Sequence, residues 1–424
     1  MTDRKPLETD SYKGVRDFYP EELALRKAVF GSIRKTLELH GYQEYDASPL
    51  EHTELYEQKG NEEIIRDQTF TFEDRGGRRV TLRPEMTPTL ARMVAAKRRE
   101  LVFPLRWFSI GNRFRYERPQ RGRLREFYQT DVDLVGLPQG EADFESIQLA
   151  HKVMGALGAS DADFIVRVNS RKLLRAGSAA AGHSEETSRE YLRLLDRKEK
   201  ISAEDYQSEL AKLGSADPMK VIEEASGDAI AEERERILSV VEELKRRGVS
   251  NAVYDPALTR GFDYYTGVVF EVFDTNPENP RALFGGGRYD ELVTLFGGEP
   301  IPAVGFAFGD VTLIDFLATH GLTPEAKSAP EAFVGTPDES DIPLAEACAE
   351  TLRAAGIRAI SNLSGKGLGD QVKEAVRRGI PYFLAYGKDE EKTSMVRIKD
   401  LARSEEETVE ENQVVKHLLR ELGR

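Results

Sequence analysis

The chain has 424 residues, with 60 basic and 74 acidic side chains for a net charge of −14, and it is 40% hydrophobic and 32% charged. That length predicts two or three domains; the composition argues against a disordered chain, no apolar run reaches membrane-span length, and the acidic total argues against indiscriminate nucleic-acid binding while leaving room for local arginine patches. The polar start MTDRKPLETD has no secretory apolar stretch, the single Cys348 permits no internal disulfide, and six histidines show no paired metal spacing, so the expectation is a cytoplasmic protein without metal ligands of its own.

From Glu21 to His40 the apolar residues Leu25, Val29, Ile33 and Leu37 recur every fourth position and Gly41 follows, which predicts an amphipathic helix with a glycine stop. The next stretch, YQEYDASPLEHTELY, alternates less cleanly. After Leu82 a strand gives way to a helix, with Thr87 placed to cap it and Pro88 in its first turn, so Arg83 and Glu85 fall on the connecting loop. Between Arg106 and Arg125 seven arginines occur in twenty residues, with Glu117 the only acid. The flanks alternate: Trp107, Ser109, Gly111, Arg113 and Arg115 share one face, as do Phe127, Gln129, Asp131 and Asp133, while Phe108, Ile110, Phe114, Tyr128, Val132 and Leu134 share the other. This is an antiparallel hairpin with a long Arg/Pro/Gly loop. Guanidinium forks, an aromatic ring and carboxylates on one face suit a ligand that is part phosphate, part base and part cation, such as an aminoacyl adenylate; the competing reading is a solvated basic hairpin for any polyanion.

From about 170 to 250 the sequence is helical and charged, without a chemistry-bearing motif. Beyond 316–331 strands and helices alternate, AFVGT, PLAEACAETLRAAG, IRAISN, GDQVKEAVRRG, PYFLAYG and SMVRIKDL, which predicts an α/β domain with a largely parallel core. The acidic run SEEETVEEN at 404–412 reads as a solvated face.

FRYERPQRGRLREFYQTDVD resembles the second signature motif of class II aminoacyl-tRNA synthetases, specifically the histidyl-tRNA synthetase family. GVRDFYPEE at 14–22, LRPEMTPTLARM at 82–93, TRGFDYYTGVVFEVF at 259–273, GGGRYDEL at 285–292 and PAVGFAFG at 302–309 agree with that family in order and spacing. The resemblance implies a class II α+β core, an antiparallel sheet flanked by helices, over 1–325, a helical insertion at about 170–250 touching the tRNA acceptor stem or merely packing, and an anticodon-binding α/β domain over 332–424. It implies a homodimer built on the first helix and strand, the partners histidine, ATP and tRNA(His), Mg2+ with the ATP, and neither membrane nor DNA.

Joining a carboxylate to the α-phosphate of ATP brings two anions together, and Arg115 and Arg260 match the two family arginines that neutralise them. Phe127 matches the ring that stacks on adenine, although a core phenylalanine is the alternative; Glu117 matches the acid at the adenine edge and Arg123 a loop arginine that reaches phosphate. Glu85, Thr87, Gln129, Asp133, Tyr264, Tyr265 and Tyr289, with Arg115 and Arg260, match the histidine pocket, whose polar groups allow selection that an apolar pocket could not provide. Thr87 is alternatively only a helix cap, and Gly285, Gly286 and Gly287 make either a tight turn or a close approach to ligand. No Walker loop or dinucleotide fingerprint competes for the nucleotide.

The chain departs from the pattern once: where the third motif continues Gly-Leu-Glu-Arg, it reads Gly309-Asp310-Val311-Thr312, without the arginine that covers adenine and touches the terminal phosphate. This predicts weaker ATP binding or a substitute arginine from outside the motif. It also keeps open an inactive relative, either a histidine-sensing regulatory subunit of ATP phosphoribosyltransferase or a tRNA-binding sensor.

Overall fold

The computed structural model describes residues 7–57, 68–198, 201–213, 217–224, 227–260, 264–279, 281–326 and 328–424, so Gly261, Phe262 and Asp263 of the RGFDYY segment lie outside the described residues. The chain divides into two compact units, Met1–Glu325 and Ala326–Arg424.

In the first unit, helix α1 (Pro20–Leu39) buries Val29, Phe30, Ile33 and Leu37. It starts with proline in its first turn and the Glu22 carboxylate accepting the Tyr19 N–H at 2.7 Å. It ends where Gly41 takes φ +78° and the Tyr42 N–H returns to the Leu37 carbonyl at 3.1 Å, a left-handed stop that suits glycine. Strand β1 (Gln43–Glu44) follows, then a small antiparallel sheet of β2 (Leu50–His52), β3 (Phe70–Glu73) and β4 (Arg79–Leu82) in the order β2-β4-β3. Helix α2 (Thr87–Lys97) begins one residue before the expected place, with Met86 at the cap position and no side-chain cap. Thr87 is therefore the first helical residue and not its cap.

The main sheet adds β5 (Leu105–Phe114), β6 (Glu126–Val135), β7 (Phe164–Ser170), β8 (Ala252–Tyr254), β9 (Val268–Asp274), β10 (Ala282–Arg288) and β11 (Ala303–Gly309) in the order β1-β5-β6-β11-β10-β9-β7-β8. Its six central strands are antiparallel, and both edge pairs, β1 with β5 and β7 with β8, are parallel. The arginine hairpin is β5–β6, in unbroken register from Leu105 opposite Val135 to Phe114 opposite Glu126. One face of the sheet packs Phe108, Val132, Phe270, Phe306 and Phe308 against α1, α3 (Glu141–Ala156) and the later helix α9 (Asp310–Thr319). The hairpin loop is tied down by Gly14, whose carbonyl accepts the Arg125 N–H at 2.8 Å.

Helices α4 (Arg171–Ala180), α5 (Glu185–Asp196), α6 (Ala203–Lys212), α7 (Pro218–Glu223) and α8 (Asp228–Arg246) occupy the helical stretch. The side chains of Ser170, Ser184, Ser202 and Asp217 cap the first four. They enclose a separate core that includes Leu173, Leu174, Tyr191, Leu195 and Ile222, while the end of α8 joins the main core through Ile237, Val241 and Leu244. A cleft of about 360 Å³ at α4 and α5 is lined by Arg171, Arg175, His183 and Arg189 among others.

The second unit has β12 (Ala332–Gly335), β13 (Ala359–Ser361), β14 (Tyr382–Ala385), β15 (Met395–Asp400) and β16 (Glu405–Glu410) in the order β13-β12-β14-β15-β16. Helices α10 (Ile342–Ala354), α11 (Leu368–Arg377) and α12 (Val414–Glu421) belong to it, with a short helix at Lys388–Thr393. Only β13, β12 and β14 run parallel; β15 and β16 are antiparallel additions, so the expected parallel core is half of the sheet. The acidic run is an edge strand, solvated as expected but hydrogen-bonded to β15.

Candidate active site

The site lies on the main sheet where β6, β11, β10 and β9 run side by side, and its floor is kept low by glycine. Gly305 lies opposite Asp133, Gly287 opposite Gly305, and Gly285 opposite Glu271. A Cβ at Gly305 would come within 2.2 Å of the Asp133 carboxylate, one at Gly287 within 2.8 Å of the Tyr265 ring, and one at Gly285 within 2.9 Å of the Arg260 guanidinium. Gly285, Gly286 and Gly287 are thus strand residues, not a turn, and their missing side chains let polar groups settle on the sheet.

Two buried carboxyls define the deep end. Asp133 accepts a hydrogen bond from the Tyr289 hydroxyl through Oδ1, while the buried Oδ2 has no hydrogen-bond partner among the described residues. Burial pushes its carboxyl up to about 8, Asp131 adds to the rise, and Tyr289 and Arg113 oppose it. Glu85 accepts the Tyr264 hydroxyl at 3.2 Å. Burial pushes Glu85 up to about 7 against the pull of Arg115 and Tyr264. Arg115 donates to the carbonyl of Pro84, the residue before Glu85, and lowers the Glu85 carboxyl, which places Glu85 toward the arginine end. Thr87 lies beside the Tyr264 phenol, and the Tyr264 ring is 4.9 Å from that of Tyr265 and 5.8 Å from that of Tyr289. Gln129 gives its amide to Asp131 at 2.7 Å, and Asp131 in turn holds the fully buried Arg113 at 2.6 Å.

At the other end Arg115 donates from Nε to the Pro84 carbonyl at 3.0 Å, and its guanidinium carbon lies 5.2 Å from the centre of the Phe127 ring. Phe127 is half-buried beside Gly309 and belongs to none of the apolar cores, so the core-phenylalanine alternative does not hold. Arg260 pairs with Glu271 on β9 and bonds to the Tyr265 phenol, while its buried Nε has no hydrogen-bond partner among the described residues. Glu117 and Arg123 pair with each other at 3.4 Å in the hairpin loop. Thr312, in the first turn of α9, turns its hydroxyl inward to the Leu283 carbonyl at 3.0 Å.

The structure therefore gathers Glu85, Thr87, Gln129, Asp133, Tyr264, Tyr265 and Tyr289 into one cluster with Arg260, which bonds to Tyr265, and sets Arg115 near the Phe127 ring beside Glu85, with Glu117 and Arg123 paired on the hairpin loop. Sequence reasoning missed Glu271, Asp131 with Arg113 as a buried pair, and Tyr45, whose buried hydroxyl lacks a partner and interacts electrostatically with Asp133. The available signal was a charge inside an apolar strand, as with Glu271 in VVFEVF. Among the described residues, buried atoms of Asp133, Tyr45 and Arg260 have no hydrogen-bond partner, a pattern that suits a polar ligand. Carboxyls deep inside and a guanidinium at the entrance suit a ligand with a polar ring and ammonium inward and a carboxylate outward.

The family model for histidyl-tRNA synthetase matches residues 14–312, and that for an anticodon-binding domain matches 332–421. The histidine–tRNA ligase of Leptospira biflexa is 39% identical, with 99% of each chain covered. That of Thermococcus kodakarensis is 36% identical, covering 98% of this chain and 99% of its own. Among solved structures, the histidyl-tRNA synthetase of Nostoc superposes with a TM-score of 0.79 at 25% identity, covering 98% of this chain and 100% of that one. A structure from Bacillus halodurans described as an ATP phosphoribosyltransferase regulatory subunit/histidyl-tRNA synthetase gives 0.70 at 25% identity over 90% and 98%.

Proposed function

As the chain belongs to the histidyl-tRNA synthetase family, we infer that its glycine-floored pocket joins histidine to ATP as an adenylate and passes the histidyl group to tRNA(His). The supporting observation is the pocket's polarity: Asp133 with a spare oxygen lies deep, and Glu85 sits toward the guanidinium of Arg115. Asp133 takes the imidazole, Glu85 with Tyr264 and Thr87 takes the ammonium, and the carboxylate is left facing Arg115 and Arg260. The site then needs only to hold the α-phosphate in line. A carboxylate oxygen of histidine attacks phosphorus, the bond to pyrophosphate breaks, and the two arginines offset the charge at that atom. A terminal ribose hydroxyl of tRNA next attacks the carbonyl carbon and AMP leaves. Phe127 offers its ring to adenine, with Glu117 and Arg123 near it on the loop.

Among the described residues no group of three His, Cys, Asp or Glu side chains forms a cage for an ion. Magnesium therefore belongs with the ATP phosphates, where it would supply charge neutralisation. The C-terminal unit is assigned to the anticodon and the helices of 170–250, with their arginine-lined cleft, to the acceptor stem. Exposed Tyr19 and Leu39 at the ends of α1 and Leu50 on β2 favour a homodimer seated there. No helix among the described residues is long and apolar enough to cross a membrane, in keeping with a cytoplasmic place.

The regulatory-subunit and sensor readings are not favoured, because the ligases of Leptospira and Thermococcus match essentially end to end. Histidine-dependent ATP–pyrophosphate exchange followed by tRNA charging tests the proposal. Histidine binding with neither reaction would return the protein to the sensor reading.

A further inference from the structure

A nucleotide triphosphate needs cations, and most of those on the hairpin loop are committed. Arg121 forms a bidentate pair with Asp315 on α9 at 3.0 and 3.1 Å, Arg123 pairs with Glu117, and Arg125 lies on the Tyr116 ring with a bond to Tyr12. Arg281 reaches the same place from another element, the residue just before β10. Its guanidinium donates to the Arg121 carbonyl, and among the described residues no carboxylate lies within ion-pair distance of it. It is exposed, and one carbonyl engages only part of a fork of five N–H donors. A Cβ at Gly122 would lie 3.6 Å from Nη1 of Arg281 and 3.5 Å from Cγ2 of Thr312, so these two side chains flank one loop residue. Thr312 itself offers the site only a methyl group, because its hydroxyl is spent on the Leu283 carbonyl.

We propose that Arg281 supplies the bound ATP with the positive charge that position 312 lacks, approaching from the head of β10. The proposal rests on the ligase reading above and deepens it by adding a nucleotide-binding residue that the motifs do not contain. Kinetics of histidine-dependent ATP–pyrophosphate exchange on the full-length protein test it. Arg281→Ala should raise the KM for ATP about tenfold, within the range a cation at an aromatic base provides, and leave the KM for histidine unchanged. Arg281→Lys should recover part of the loss, and adding Thr312→Arg to Arg281→Ala should recover most of it. An unchanged ATP KM in Arg281→Ala overturns the proposal while leaving the ligase reading intact. Equal increases for ATP and histidine, or a lower melting temperature that accounts for the defect, also overturn it, since Arg281 would then merely brace Arg121. Absence of exchange in the parent protein removes both readings. Should the alanine variant fail to fold, equilibrium binding of ATP to Arg281→Gln gives the same decision.

Discussion

Asp133→Asn keeps the shape of the side chain and an acceptor for Tyr289 while removing the charge. The Asp133 carboxyl stands at about 8 against an ordinary 3.8, through burial above all. The folded chain therefore holds a proton that the unfolded chain releases, and this contribution to stability declines as pH rises from about 4 to about 8. Its upper limit is on the order of 5 kcal/mol, at 1.36 kcal/mol for each tenfold change in proton affinity. The asparagine variant should lose this decline and melt higher than the parent at alkaline pH. Histidine binding carries the functional half of the prediction. With the imidazole at about 6.5 and Asp133 at about 8, the complex holds one shared proton. Below the first value a proton must be released on binding; above the second, one must be taken up. The parent's affinity should peak between them, whereas the variant should lack the alkaline fall attributable to Asp133 and bind less tightly near neutrality by about 1.5–3 kcal/mol, roughly 10- to 150-fold. Calorimetric titration of both proteins from about pH 6 to 9 measures this, and their comparison cancels the titration of the substrate's own amino group. Equal affinity across the range would refute the placement of the imidazole at Asp133.

Arg260→Ala should lower the rate of adenylate formation by about 10² to 10³ while weakening histidine binding far less. Because it removes the Arg260 guanidinium from the half-buried Glu271, the Arg260→Ala, Glu271→Gln pair is the informative comparison, and near-normal single-turnover rates would show that Arg260 is only structural. Gly305→Ala would place a Cβ 2.2 Å from Asp133 and 2.6 Å from the Val132 carbonyl. A stability loss of about 1–3 kcal/mol and impaired histidine binding are expected, read by thermal unfolding and calorimetry; normal binding would contradict the close approach. Deleting 326–424 should spare pyrophosphate exchange and weaken tRNA charging in a salt-dependent way, and equal charging by the two forms below tRNA saturation would remove the anticodon assignment.

The helix from Pro20 and the hairpin from Leu105 to Val135 were legible because their periods are strong and each has one face that must be buried. Motif spacing located the side chains that the fold gathers around Asp133 and Glu85. It could not reveal that Arg260 leans on Glu271 or that Arg113 leans on Asp131, since the first pair needs a loop folded back on β9 and the second needs two strands in register. The triple glycine was ambiguous for a related reason: a turn and a crowded strand both demand a missing Cβ, and only the neighbours distinguish them. Thr87 misled because threonine and proline mark a helix start, whereas Met86 takes the cap position and leaves the threonine hydroxyl beside Tyr264. In the C-terminal unit the strands of apolar sequence were visible, but the acidic β16 carries almost no burial pattern and owes its existence to its pairing with β15.

That last strand bears on how the protein behaves in concentrated solution. β16 closes one side of its sheet with Glu405, Glu406, Glu407 and Glu410, and no strand among the described residues pairs with its outer backbone groups. An uncovered edge is a template for another chain, and a row of carboxylates makes such docking repulsive. The protection is ionic, so it should fade when high salt screens the row. Precipitation at high salt, under conditions where the fold itself persists, would then begin at this edge, and Glu406→Lys with Glu407→Lys, which cancels the charge of the row, should bring it on at lower salt.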